Sequence, residues 1–214
     1  MRFKDRNEAG ELLAMKLAHL AREDPVVYTL PRGGVIVACP IARSLAAPLD
    51  LVIIHKIGHP HNPELAVCAV SETGELLCDE EERKRFDASW LKDAAKHGKE
   101  EAEKRREKYV GHPVIPATGK TAIIVDDGVA TGLSISLAVH EVRKMNPKKI
   151  VIAVPVAPAN IAAFLKLEAD EFVMLEAGKP FLGGIASYYD DFSQISDEKA
   201  LEAMTKLTES ADSA

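Results

Sequence analysis

The chain reads as an α/β protein, with a doubly wound, mostly parallel sheet covered by helices on both faces, plus a flap or hairpin and a helical insertion. Three observations predict this. Short apolar, β-branched runs alternate with segments of helical period at both ends of the chain, as in strands joined by crossover helices. The first run is followed by the turn Pro31-Arg32-Gly33-Gly34, and the run Ile123-Ile124-Val125 ends in two adjacent carboxylates, Asp126 and Asp127. Residues 55–118 break the alternation, with a hairpin signal and then a long charge-rich stretch.

The elements follow in order. Asp5 suits an N-cap with Glu8 three positions on, as in a capping box, and Leu12, Leu13, Leu17 and Leu20 recur at helical spacing over 5–23. Residues 26–30 form a strand, 35–45 a helix and 49–54 a second buried strand, which makes a βαβ crossover. Residues 65–70 and 75–78 flank Ser71-Glu72-Thr73-Gly74, a hairpin turn in which glycine tolerates positive φ. Residues 80–110 are helix-prone, and the mixed charges from Lys99 to Lys108 read as a solvated face with i,i+4 pairs. Alternation then resumes with a strand at 121–125, a helix at 132–145, a strand at 150–156, a helix at 159–167 and a strand at 172–175. Ser196 caps a last helix.

Composition bounds the function. Of 214 residues 47% are hydrophobic and 28% charged, a globular balance, and the formal net charge of −6 excludes a general electrostatic hold on nucleic acid. The opening residues lack the apolar run of a signal peptide, and no stretch approaches the ~20 apolar residues of a membrane span, so the expected location is cytoplasmic with no membrane partner. Cys39, Cys68 and Cys78 show no CxxC pairing and read as reduced, packed thiols. His55, His59 and His61 fall among Gly58, Pro60 and Pro63, which suggests an irregular loop without a zinc-site pattern.

The most informative stretch is Ile123-Ile124-Val125-Asp126-Asp127-Gly128-Val129-Ala130-Thr131-Gly132-Leu133-Ser134. Ligands of open parallel sheets bind at the carboxyl ends of strands, where this loop falls. Unpaired amides and the positive end of the following helix suit a phosphate, small residues let it approach the backbone, and the Thr131 hydroxyl adds a donor. Two carboxylates beside a phosphate pocket fit sugar hydroxyls or a Mg²⁺ ion, and a phosphorylated ribose supplies both.

This stretch resembles the phosphoribosyl diphosphate signature of type I phosphoribosyltransferases, with Gly128 where an aliphatic residue is usual. The whole chain is similar to a bacterial and archaeal group of predicted phosphoribosyltransferases. The resemblance implies one type I phosphoribosyltransferase-like domain over 1–214, with a flap and helical insertion at about 55–118 and a C-terminal hood segment at about 180–214. It implies that Asp126 and Asp127 meet the ribose hydroxyls, while Val129, Ala130, Thr131, Gly132, Leu133 and Ser134 cradle the 5′-phosphate. Arg32, Gly33 and Gly34 would bind diphosphate, with the Arg32–Gly33 peptide cis, and Lys56 would neutralise the leaving diphosphate. His55 stands where relatives often carry arginine.

The implied reaction moves phosphoribose from phosphoribosyl diphosphate to a nucleobase-like nitrogen acceptor. Mg²⁺ would be carried by the ligand near Asp126 and Asp127 rather than held in a protein cage. Residues 55–78 would form a mobile flap. Glu64 is the candidate base, because Ala130 stands where 6-oxopurine members have an acid, and Tyr188, Tyr189 and Phe192 form either a stacking wall or core packing. The expected partner is a small molecule, phosphoribosyl diphosphate or a nucleotide. A homodimer is common in the family, though no segment identifies an interface. A second reading keeps the fold and the ligand but not turnover, as a regulator or sensor. A third, a phosphatase using Asp126 as nucleophile, ranks last because the spaced Asp-x-Asp of such enzymes is absent.

Overall fold

In the computed structural model, which describes residues 2–60, 62–176 and 183–212, Asp5 accepts the Glu8 amide at 2.9 Å and opens α1 (Arg6–Leu17). Glu8 reaches back to the amide of Lys4 at 2.5 Å, one residue before the cap. The chain continues through β1 (Pro25–Thr29), α2 (Gly33–Leu45) and β2 (Leu49–Leu51). After the insertion come β6 (Thr121–Val125), α5 (Leu133–Arg143), β7 (Lys149–Val156), α6 (Ala159–Glu168) and β8 (Glu171–Glu176). The five strands pair in parallel in the order β2–β1–β6–β7–β8.

Alternate residues of these strands serve opposite faces. Val27, Ile123, Val125 and Val151 pack with Leu13, Leu17, Val37 and Ile41 of α1 and α2. Val26, Tyr28, Ile124 and Ile152 pack with Ile135, Val139, Val142 and Leu165 from α5 and α6. Both faces are covered, which is why β1 and β6 are buried along their whole length and read as unbroken apolar runs. The last helix, α7 (Asp197–Asp212), packs on α2, where Ala200 joins Val35 and Cys39.

The strand expected at 49–54 is divided. β2 stops at Leu51, the Val52 amide bonds the Thr29 carbonyl at 3.0 Å, and Ile54 begins β3 (Ile54–His59) in a second sheet. β3 pairs antiparallel with β4 (Asn62–Ser71), and β4 with β5 (Leu76–Cys78). Residues 55–59 are therefore a strand with register shifts at Gly58, not an irregular loop. The expected hairpin at 65–78 is present. Cys68 and Cys78 stand opposite each other in it and form a disulfide, which corrects the reading of three reduced thiols; Cys39 is the free, buried one.

A short α3 (Glu80–Arg83) leads into α4 (Ala88–Tyr109), which lies on this sheet. Contact is close at Gly98, where a β-carbon would stand 2.6 Å from Val70 Cγ1 and 2.9 Å from His55 Cδ2. The buried positions Leu91, Gly98, Ala102 and Tyr109 define an inward stripe of α4. So the charge-rich run is solvated on one side only. Arg106 turns inward, donating to Glu72 at 2.5 Å, to Asp50 at 3.3 Å and to the Leu51 carbonyl. No helix among the described residues is long and apolar enough to cross a membrane.

Candidate active site

β1 is flanked by β2 on one side and β6 on the other, so the order of connection reverses between β1 and β6. The crevice beyond the carboxyl ends of two such strands is where an open α/β sheet holds its ligand. Here β1 runs into Pro31-Arg32-Gly33-Gly34 and β6 into Asp126-Asp127. The two loops meet closely. A β-carbon on Gly33 would stand 1.9 Å from Asp127 Oδ2, and one on Gly34 would stand 2.6 Å from Thr29 Oγ1 and 2.9 Å from Asp126 Oδ1. Both glycines are needed because α2 begins against the carboxylate pair. The cis peptide of this loop is Pro31–Arg32, one bond earlier than expected; Gly33 already opens α2, whose backbone runs through trans peptides.

The carboxylates are held by groups that the local sequence does not announce. Asp126 Oδ1 accepts the Asp127 amide at 2.9 Å. Asp127 Oδ2 accepts Arg6 Nε at 2.7 Å, and the Asp127 carbonyl accepts the Tyr189 hydroxyl at 2.6 Å. Arg6 also donates to the Ser193 carbonyl at 2.9 Å and lies 3.7 Å above the centre of the Phe192 ring. Burial pushes the acid form of Asp126 up, and the neighbouring Asp127 charge adds to it, while Lys56 and Arg6 oppose. Burial raises Asp127 as well, against the pull of Arg6. The pair thus holds a proton more readily than free carboxylates do.

Beside the pair opens a cavity of ≈ 570 Å³ lined by Arg6, Arg32, Lys56 and Arg105, with His55, Gly33 and Phe192. Four cations from four segments converge there in a chain whose net charge is −6. Arg32 lies 3.6 Å from Asp197 at the start of α7. His55 is held below its ordinary value, first by burial, then by Arg105 and His97.

Across β6, the loop to α5 has the features of an anion cradle. Gly132 takes φ +85° as the N-cap, with no side chain capping the helix. The Val129 amide is used by the Val156 carbonyl at 2.9 Å, but the amides of Ala130, Thr131 and Gly132 have no acceptor among the described residues. Thr131 is exposed, and the Ser134 hydroxyl is buried without a hydrogen-bond partner among the described residues. Gly128 has φ +155°, and a side chain there would also meet Ile185, whose Cγ2 lies 2.5 Å from an added β-carbon.

The structure therefore brings Arg32, Gly33, Gly34, Lys56, Asp126 and Asp127 to one crevice, with the loop 129–134 adjoining. Tyr188 and Tyr189 are 3% and 2% exposed and pack with Phe3, Ala9 and Val156, so core packing, not a stacking wall, describes them. Phe192 reaches the cavity under Arg6. The side chain of Glu64, His61 and the tail around Phe181 lie outside the described residues. Among the described residues no three His, Cys, Asp or Glu side chains cluster to hold a metal. Arg6 and Arg105 escape the sequence reading. Their signal is a lone charge on a buried stripe: Arg6 is in register with Ala9, Gly10 and Leu13, and Arg105 with Ala102 and Tyr109.

Comparison with known proteins agrees with this geometry. The Phosphoribosyl transferase domain family matches residues 5–181. The chain is 40% identical over 202 residues to the Mycobacterium tuberculosis protein (strain H37Rv) named "Putative phosphoribosyl transferase Rv0571c", and covers 93% of itself but 45% of that relative. It thus spans about half the length of the curated relatives it matches. The crystal structure of TT1426 from Thermus thermophilus superposes with a TM-score of 0.80 at 41% identity, covering 97% of this chain and 99% of that one. The AQ2163 protein from Aquifex aeolicus shares the fold at a TM-score of 0.50 and 13% identity, over 79% and 73% of the two chains. The protein belongs to the phosphoribosyl transferase domain family.

Proposed function

We propose that the protein transfers phosphoribose from phosphoribosyl diphosphate to a nucleobase-like nitrogen acceptor and releases diphosphate. The observation that carries this is the juxtaposition of a half-buried carboxylate pair and a four-cation cavity at the sheet's switch point. The pair suits the 2′- and 3′-hydroxyls of a ribose, the loop 129–134 its 5′-phosphate, and the cations its diphosphate. The acceptor nitrogen forms a bond to C1 while the C1–diphosphate oxygen bond breaks, through a transition state with oxocarbenium character. Positioning and charge stabilisation then supply most of the catalysis.

The donor set also fits a Mg²⁺ ion arriving with the ligand. Asp126 and Asp127 offer hard oxygen ligands, and no third carboxylate clusters with them among the described residues, which suits an ion that keeps waters and substrate oxygens. Such an ion would neutralise part of the diphosphate charge. Ala130, exposed in the loop and without a proton acceptor, counts against a 6-oxopurine as the acceptor. The same feature supports the second reading, a sensor that binds the sugar diphosphate without turnover.

Isothermal titration with phosphoribosyl diphosphate and Mg²⁺ tests the proposal. Wild-type binding that Asp126→Asn/Asp127→Asn loses supports it, and no heat from micromolar to millimolar ligand overturns it. Diphosphate release with a panel of bases then separates enzyme from sensor.

A further inference from the structure

The four cations of the cavity are not equally occupied. Arg6 is spent on Asp127 and the Ser193 carbonyl. Arg32 faces Asp197, which is shared with Lys108 and with the Tyr109 hydroxyl at 2.6 Å. Lys56 and Arg105 have no carboxylate within 4.0 Å among the described residues. Glu101, one turn before Arg105 on α4, is paired with Lys104 at 2.8 Å and does not neutralise it. His55, which lines the same cavity, is shifted toward its neutral form by burial and then by Arg105. Lys56 is exposed and Arg105 half-buried where they line the cavity, so both are available to an anion that enters it.

We propose that Arg105 of the insertion helix is a diphosphate-binding residue, acting with Lys56 and the Arg32–Gly34 loop that line the same cavity. The assignment rests on the reading of this cavity as the diphosphate site. It gives the insertion a functional role. Gly98 lets α4 lie close against β3 and β4, and the next inward turns carry Arg105 to the cavity and Arg106 to the buried carboxylates. A planar guanidinium matches two diphosphate oxygens at once, which an imidazole at His55 cannot do.

The test is titration of wild type, Arg105→Gln, Arg105→Lys and His55→Arg/Arg105→Gln with three probes: inorganic diphosphate, phosphoribosyl diphosphate and ribose 5-phosphate, each with Mg²⁺. Arg105→Gln is expected to weaken both diphosphate probes by about 10- to 100-fold, the range for losing one charged hydrogen-bond partner, and ribose 5-phosphate by less than about twofold. Arg105→Lys should fall between, and His55→Arg should recover part of the loss from within the same cavity. Unchanged diphosphate affinity in Arg105→Gln overturns the assignment, as does an equal loss for ribose 5-phosphate, which would mark a general disturbance. Wild type that binds inorganic diphosphate but not phosphoribosyl diphosphate would sink the transferase reading, while loss of that binding in Arg105→Gln would still support Arg105. Wild type that binds neither overturns both.

Discussion

Two regions of the molecule draw carboxylates inward, the end of β6 and the seam between the two sheets, but they treat them in opposite ways. At the end of β6, Asp126 and Asp127 sit side by side with one arginine and one amide between them, and burial pushes both up. At the seam, where β2 and α5 meet the antiparallel sheet, the inward carboxylates are met by donors. Asp50 accepts the Leu51 amide at 2.7 Å, the Ile115 amide at 2.5 Å and Arg106. Glu141 accepts Ser71 and Thr73 at 2.7 Å each and Lys144 at 2.9 Å. Glu72 has Arg106 at 2.5 Å, although burial still raises it. A saturated network holds elements together. An undersupplied pair at a switch point leaves binding capacity for a ligand.

The largest effect should come from breaking the saturated side. Arg106→Ala strands Asp50 and Glu72 in the interior, and removing one partner from a buried ion pair costs about 3–5 kcal/mol. Urea denaturation should show that loss. A change below about 1 kcal/mol would mean that the network does not clamp α4 to the two sheets. The opposite is expected of Asp126→Asn/Asp127→Asn, which removes charge repulsion at a site built for a ligand. Phosphoribosyl diphosphate affinity should fall at least about 100-fold, or ~2.7 kcal/mol, while the unliganded fold survives. A double variant that unfolds would erase the contrast between the two regions.

Gly33→Ala probes the seam on which the undersupplied pair depends. Its methyl must displace Asp127 Oδ2 or Arg6, since the clash falls on both. Ligand affinity should drop by about tenfold or more, because misplacing a positioned group by a fraction of an ångström has that kind of effect. Unchanged affinity would show that the pair tolerates movement and that the close packing is not functional.

The two regions also differ in how far the sequence discloses them. The parallel strands are buried on both faces, so their residue choice is local and β6 can be placed at 121–125 without tertiary information. β3 is hidden because His55-Lys56-Ile57-Gly58-His59 has polar residues and a glycine, and only pairing with β4 makes it a strand. The same dependence on partners hides the Cys68–Cys78 disulfide, a matter of cross-strand register. In the site, the Asp126-Asp127 and Arg32-Gly33-Gly34 segments are legible because their chemistry is contiguous. Arg6 lies 121 residues from Asp127, and nothing local says that the two meet.

The effect most specific to the undersupplied pair is on pH dependence. Asp126 has a folded-state pKa raised above its unfolded value of ~3.9, so the native state binds the extra proton. Stability then falls as pH rises from about 4 through the raised folded value, since ∂ΔG/∂pH is negative wherever the native state holds more protons. Asp126→Asn has no proton to lose there. It should gain on the unliganded wild type as pH rises from about 5 to about 8, seen as a gap in Tm that widens with pH. Saturating phosphoribosyl diphosphate with Mg²⁺ should reverse the wild-type trend, because ribose hydroxyls and a cation both favour the ionised pair. Parallel melting curves for the two proteins across that range would remove Asp126 as the titrating group. A wild-type trend unaltered by the ligand would separate the pair's protonation from binding and leave the carboxylates with a purely structural role.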